Sequence, residues 1–451
     1  GSLSALLDMD VAAIEKLIGE QFQGKDKLIA PNVKALHLGR DWTLKNLACP
    51  LGIRLQRSDK VGDRIFLEGN SAAALGAVYG GATMCAWYPI TPSSSLAEAF
   101  TRHCRKFRTA PDGKARHAII QAEDELASIG MVIGAAWNGA RAFTATSGPG
   151  ISLMQEFIGL AYFAEIPAVI FDVQRAGPST GLPTRTGQQD IKTALLSHGD
   201  TKHPLLLPAS VSECYEMAMS AFDLAERMQT PVFVMTDLDL GMNTWMSDPF
   251  VYNDKPFDRG KRLDAETLKK IGEWGRYKDV DGDGIPYRSV PGDGMPAFFT
   301  RGSGHNEKAL YSERSDDYEN NLNRLAKKFD TARSLVPKPE VTGKGKVGII
   351  AYGTTHWSLV ESIDQLRNEH KLETSYMRVK AFPFTQEVFD FIDAHERVYV
   401  IDQNRDGQLW SLLKIELNAD QVAKTRSIRQ YSGLPLDART LTNAILKQEG
   451  N

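Results

Sequence analysis

Between residues 67 and 240, short apolar runs alternate with longer segments rich in alanine and glycine, and this alternation constrains the fold more than any other feature. "MCAWYPI", "RAFTATS", "PAVIFDV" and "PVFVMTD" read as buried strands, with "LEGNSAAALGAVYGGA", "ELASIGMVIGAAWNGA" and "GISLMQEFIGLAYFAE" as helices among them. Strands that are apolar on both faces and joined through helices make a parallel sheet covered on both sides. The same alternation returns on a smaller scale over 341–451, in "KVGIIAYG", "LVESIDQLR", "ERVYVIDQ" and "QLWSLLKIEL". The sequence thus predicts a larger α/β domain over 67–245 and a smaller one over 341–451. Residues 246–340 are rich in Asp, Gly, Pro and aromatics and read as an irregular connecting arm ending in a helix, "ENNLNRLAKKF". Residues 1–66 read as two helices, "SALLDMDVAAIEKLIGEQF" and "NVKALHLGRDWTLKNL", with no sheet of their own.

Composition narrows the function classes. The net charge of the 451 residues is −3 and no Lys/Arg block stands out, which argues against a nucleic-acid partner. No apolar run has the length of a membrane span, and the first residues lack the basic flank and apolar core of a signal peptide. Cys49, Cys85, Cys104 and Cys214 are far apart and form no Cys-x-x-Cys pair. That spacing speaks against an iron–sulfur cluster or structural zinc held by this chain alone. It suits buried thiols in a reducing cytoplasm.

Chemistry-bearing residues gather at the expected strand ends. In "YPITPSSS" two prolines bracket Thr91 and stiffen the backbone on both sides of one hydroxyl, and the serines offer N-caps for a following helix. "QAEDELASIG" places Glu123, Asp124 and Glu125 at a helix start, where acids complement the dipole. Ala127 and Gly130 on the face of Glu123 would give that carboxylate a dry niche and a raised pKa. Arg175 follows the strand "PAVIFDV", where open α/β sheets bind ligands, and guanidinium is the usual partner of a carboxylate. Thr180, Thr184 and Thr186 share its Gly/Pro loop. "SGPGISLMQE" is a strand-to-helix turn that fits neither dinucleotide nor P-loop patterns. "DVDGDGIPYR" begins like a calcium loop with Asp279, Asp281 and Asp283, but the twelfth position is Val290, so a full EF-hand is excluded. A partial Ca²⁺ or Mg²⁺ site and a plain Asp/Gly turn both remain open there. His305 sits in a polar loop, where a lone histidine is usually solvated, and no role is given to it.

Taken together and in this order, "EGNSAAALGAVYGGATMCAWYPITPSS", "QAEDELASIGMVIGAAWNGARAFTATSGPGISLMQE", "AEIPAVIFDVQRAGPSTGLPTRTGQQD" and "SHGD" resemble the alpha subunit of 2-oxoacid:ferredoxin oxidoreductases, most closely the 2-oxoglutarate type. The resemblance runs from about residue 67 to the end. It implies a pyrimidine-type, thiamine-diphosphate-binding parallel-sheet domain followed by a transketolase C-terminal-like α/β domain. It also implies oxidative decarboxylation of a 2-oxoacid with coenzyme A to an acyl-CoA and CO₂, with electrons passed to ferredoxin. On the matching positions, Thr91 and Thr184 are substrate-binding residues and Arg175 binds the substrate carboxylate. Glu123 bonds N1′ of the aminopyrimidine, with Glu125 as the alternative, and Pro92 lies beside the cofactor.

The family places the Mg²⁺-diphosphate end and the [4Fe–4S] cluster on a beta subunit, so this chain is expected to be half of an active site, in a dimer of alpha-beta heterodimers. Residues 1–66 are expected to be the tail of a gamma-type domain or a linker. Two rival readings are pyruvate or a branched-chain 2-oxoacid as substrate, and a non-catalytic scaffold. A scaffold has no need of Thr91, Glu123, Arg175 and Thr184 together.

Overall fold

The protein is described by a computed structural model covering residues 1–252, 254–272, 274–293 and 300–450, in two units, Gly1–Arg64 and Ile65–Asn451. The first unit is helical: Ser2–Leu6, Val11–Gln21 and Asp26–Asn46. The single helix expected over the first stretch is interrupted. Asp8 takes a left-handed φ of 51°, and the Asp10 side chain accepts from the Ala12 N–H, so a fresh helix starts there.

Among the described residues of the second unit the strands, numbered along the chain, form three sheets. β1 (Ile65–Glu68) pairs antiparallel with β8 (Thr244–Ser247) and closes the first domain on itself. The main sheet contains β2 (Met84–Trp87), β3 (Ala118–Gln121), β4 (Ala142–Thr146), β5 (Ala168–Gln174), β6 (Leu205–Leu206), β7 (Pro231–Asp237) and β12 (Ala381–Phe382). Its order is β12-β6-β7-β5-β4-β2-β3, parallel throughout except for the edge strand β12. A smaller sheet, ordered β14-β13-β10-β11-β9, is built from β9 (Glu340–Gly343), β10 (Val347–Tyr352), β11 (Thr374–Val379), β13 (Arg397–Asp402) and β14 (Thr425–Arg429); only β9 runs antiparallel.

Alternate residues of the main sheet serve two apolar layers, as the period-2 geometry of a strand requires. Cys85, Phe143, Phe171 and Val234 pack under helices Gly69–Tyr79, Ser94–Phe107 and Val211–Met228. Met84, Ala142, Ile170 and Phe233 pack under helices Glu125–Trp137 and Gly148–Ala164. The small residues of the first helix have a steric reason: a Cβ on Gly76 would lie 2.2 Å from the Tyr215 carbonyl oxygen.

The connecting segment contains helices Ala265–Ile271 and Ser315–Thr331 and is held by buried ion clusters rather than by a sheet. Glu165, at the C-terminus of helix Gly148–Ala164, binds Arg324 at 2.5 Å and Lys328 at 2.9 Å, all three buried. Burial alone would raise the Glu165 carboxyl, but the two cations outweigh it and hold it down at about 2. That contribution is present above the ordinary glutamate range and is lost only as pH falls toward 2. A second cluster sets Glu226 against Arg141, Arg259 and Arg288. His305 belongs to this packing and is not solvated as expected: it is 2% exposed and stacks on Tyr277 at 3.9 Å between ring centroids. No helix among the described residues is long and apolar enough to cross a membrane.

Candidate functional site

The chain leaves β2 toward β3 and leaves β4 toward β5, so the sheet order reverses between the neighbours β2 and β4. At such a switch point the carboxyl ends of the strands open a crevice. The loop after β2 carries Thr91, and the turn after β4 carries Ser147–Gly150. A Cβ on Gly150 would lie 1.9 Å from Thr146 Oγ1 and 2.9 Å from Glu125 Cγ, so only glycine fits. Glycine here lets helix Gly148–Ala164 start tight against Thr146 and Glu125.

The acids that open helix Glu125–Trp137 are sorted by the structure. Asp124 is the N-cap, its Oδ1 accepting from the Ala127 N–H at 2.7 Å. Glu125 is the first helical residue and is 6% exposed. Glu123 precedes the helix and is exposed, so the helical spacing to Ala127 and Gly130 does not apply to it. The dry niche expected around Glu123 belongs to Glu125.

The Thr91 loop is fixed by its neighbours. The Ser93 N–H donates to the Ile90 carbonyl at 2.9 Å, closing a turn around Thr91 and Pro92. The serines do not cap the helix with their side chains as expected. Ser93 and Ser94 hydroxyls donate to the Ile90 carbonyl instead, and the Ile90 N–H donates to Ser94 Oγ. Buried Asn70 donates to the Pro92 carbonyl at 2.9 Å and to Ser95 Oγ at 2.8 Å, clamping the loop from below. The Thr91 side chain is left exposed on top, and Pro92 is buried.

Arg175 joins this loop to the end of β5. It is 6% exposed, and its Nη1 donates to the Thr91 carbonyl at 2.7 Å. Burial lowers its pKa against the pull of Asp190. Arg175 and Asp190 line a cavity of about 400 Å³ together with Gly148, Asn404, Arg405 and Tyr431. The smaller domain closes this cavity, anchored by Asn404 Nδ2 on the Gln188 carbonyl at 2.8 Å. Asp237, at the end of β7, receives Thr354 Oγ1 at 2.5 Å and Gln188 Nε2 at 3.1 Å across the same seam.

The remaining candidates lie elsewhere. Thr184 is exposed and does not line the cavity; its carbonyl receives Arg185 Nη1 at 3.2 Å. The threonine that the loop buries is Thr186. The Asp-rich loop forms a turn whose carboxylates are engaged within the chain. Lys261 Nζ lies 2.7 Å from both Asp281 and Asp283, and Asp279 receives the N–H groups of Gly282 and Gly284. An ammonium thus fills the place a metal would take, and no group of metal-competent side chains occurs among the described residues. Asp190, which lines the cavity, and Asn70, which clamps the Thr91 loop, are not singled out by the sequence. Asp190 ends the quoted motif "GLPTRTGQQD", whereas the contribution of Asn404 needs the three-dimensional fold.

Fold and site together define a class: an α/β protein whose main parallel sheet opens a crevice lined by a buried arginine, closed by a second α/β domain. The family described as "Pyruvate flavodoxin/ferredoxin oxidoreductase, thiamine diP-bdg" matches residues 75–254. The chain is 34% identical to the 2-oxoacid:ferredoxin oxidoreductase 2 alpha subunit of Aeropyrum pernix over 461 residues, covering 98% of this chain and 70% of that one. It is 35% identical to the 2-oxoglutarate synthase subunit KorA of Archaeoglobus fulgidus over 350 residues, 76% of this chain and 88% of that one. Among solved structures it is similar to the 2-oxoglutarate:ferredoxin oxidoreductase from Magnetococcus marinus with 2-oxoglutarate, coenzyme A and succinyl-CoA bound. The TM-score is 0.85 at 29% identity, over 99% of this chain and 76% of that one. The chain belongs to the alpha subunits of the 2-oxoacid:ferredoxin oxidoreductases. The likeness extends into residues 1–66, beyond the start at about residue 67 that the motifs suggested.

Proposed function

We propose that this chain is the alpha half of an enzyme that converts 2-oxoglutarate and coenzyme A to succinyl-CoA and CO₂, passing two electrons to two ferredoxins and releasing one proton. The observation that carries the reading is Arg175, a buried guanidinium at a strand's carboxyl end, fixed to the Thr91 loop and facing a cavity. Its planar fork suits the carboxylate of a 2-oxoacid. The Thr91 hydroxyl, on a loop stiffened by two prolines and clamped by Asn70, orients the keto oxygen beside it.

The crevice fits thiamine diphosphate. Gly150 lets its helix start tight against Glu125, Glu125 presents a buried carboxylate at a helix start, and the Ser147 hydroxyl is buried without a partner among the described residues. When bound, the cofactor supplies a nucleophilic carbon and an electron sink. Glu125 would hold the proton at N1′ of its aminopyrimidine, the role the sequence offered first to Glu123. Pro92 forms part of the wall beside Thr91. Thr184, exposed in the loop after Arg175, would reach the substrate only as part of the assembled enzyme.

The beta subunit supplies the Mg²⁺ and diphosphate contacts and the [4Fe–4S] cluster, and ferredoxin takes the electrons. The wide spacing of the four cysteines of this chain supports that division. The working form is a cytoplasmic dimer of alpha-beta heterodimers. The test is a panel of 2-oxoacids on the purified complex with coenzyme A and a viologen dye as acceptor. 2-Oxoglutarate should give the highest kcat/KM. A preference for pyruvate or a branched-chain 2-oxoacid would refute the substrate assignment, and no turnover of any of them would support a scaffold.

A further inference from the structure

Asp172 is an anomaly in the centre of the main sheet. It lies within β5, between Thr146 of β4 and Met235 of β7, and is fully buried. Neither of its carboxyl oxygens has a hydrogen-bond partner among the described residues. A buried carboxylate without a donor is costly, and such a group keeps its proton instead. Its neighbour Asp190 is equally unusual. It stands at the N-cap of helix Ile191–Leu195, yet its side chain caps nothing. The carboxyl faces Gly148 instead, where a Cβ would lie 2.4 Å from Oδ1, and Oδ2 has no partner among the described residues. Asp190 also lines the cavity next to Arg175.

We propose that Asp190, packed beside a permanently protonated Asp172, couples binding of the substrate carboxylate at Arg175 to uptake of one proton by its own carboxyl. The proposal rests on the carboxylate-binding role given to Arg175 above. An ionised Asp190 would compete for the guanidinium and repel an incoming anion; a protonated Asp190 does neither. Burial raises Asp190 to about 7 against the pull of Arg175, and burial together with Asp190 holds Asp172 well above the ordinary carboxylate range.

The other charged or titratable groups around the pair are already engaged. Asp237 is bonded by Thr354, Gln188 and the Leu240 N–H, and Asp402 by the N–H groups of Leu409 and Trp410 and by Asn404. Tyr352 at the end of β10 is buried and raised well above its ordinary range. Arg405 and Asp406 pair with each other at the cavity rim, with Lys192 near Asp406. Burial raises Asp402 to about 6, but it does not line the cavity, so Asp190 is the group beside Arg175 whose charge changes near neutrality.

The sign follows from the proton count. The substrate complex binds one more proton than the free enzyme, so affinity is full below about pH 7 and falls above it. In the assembled enzyme at constant ionic strength, KM for 2-oxoglutarate measured from pH 6 to 9 should be level at low pH. Above the break it should rise, approaching tenfold per pH unit. Asp190→Asn should remove the rise. Asp172→Asn should keep it, because Asp172 is uncharged in either case. Asp190→Ser gives the same readout if the asparagine variant does not assemble. A KM that is flat with pH in the unmodified enzyme, or a rise that persists without the Asp190 carboxyl, would overturn the coupling. An enzyme that turns over no 2-oxoacid at any pH would overturn the functional reading, and the coupling with it.

Discussion

Replacing Glu125 with glutamine is expected to slow exchange of the thiazolium C2 proton in the assembled, cofactor-loaded enzyme by about 10²–10⁴-fold, the range typical of a positioned proton-transfer group. An amide cannot share a proton with a ring nitrogen as a carboxylate does, and Glu125 is the acid that the fold buries beside Gly150 and Thr146. Glu123→Gln is expected to leave the exchange rate within about twofold, because that side chain lies outside the helix and is exposed. Exchange followed by NMR after quenching compares the two variants directly. The reverse order of effects would return the role to Glu123.

Arg175→Met is expected to lower kcat/KM by about thirty- to several-hundred-fold, or ~2–4 kcal/mol, through loss of a charge-assisted carboxylate contact in a partly dry pocket. Methionine keeps the apolar stem, and a half-buried Asp190 that loses its cation can take up a proton, so folding should survive. The bond from Arg175 to the Thr91 carbonyl gives a purely structural alternative. In that case the variant would melt earlier, with kcat/KM per folded complex nearly unchanged. Measuring both quantities on one preparation separates the two roles. Asp172 is not the ion-pair partner of Arg175, since neither of its oxygens has a hydrogen-bond partner among the described residues.

Much of this was legible in the sequence because it rests on local rules. Buried strands such as Ala168–Gln174 are apolar on both faces, and small-residue helices such as Gly69–Tyr79 signal close packing. Both follow from period and side-chain size alone. Arg175 could be placed because a residue just past a buried parallel strand lands at the ligand edge of the sheet. What was misread depended on where a helix begins. A shift of two residues in that start separates exposed Glu123 from buried Glu125, and boundaries are set by capping geometry that competing acids obscure. The serines after Pro92 were read as caps because Ser, Asp and Asn favour that place, yet the turn around Thr91 offered them a nearer acceptor in Ile90. The Asp-rich loop misled for another reason: its cation is Lys261, 20 residues before Asp281, which no local pattern reveals. The burial of His305 is hidden from the sequence because its partner Tyr277 is likewise distant along the chain.

In the proposed enzyme this chain contributes a substrate arginine, Arg175, and an activating glutamate, Glu125, to a site completed by a second chain. Calorimetric titration of thiamine diphosphate and Mg²⁺ tests it most directly, performed on the isolated chain and on the chain assembled with its beta subunit. Tight binding is expected of the complex, and binding too weak to saturate of the isolated chain; equally tight binding by the isolated chain would mean that one chain holds the whole cofactor site.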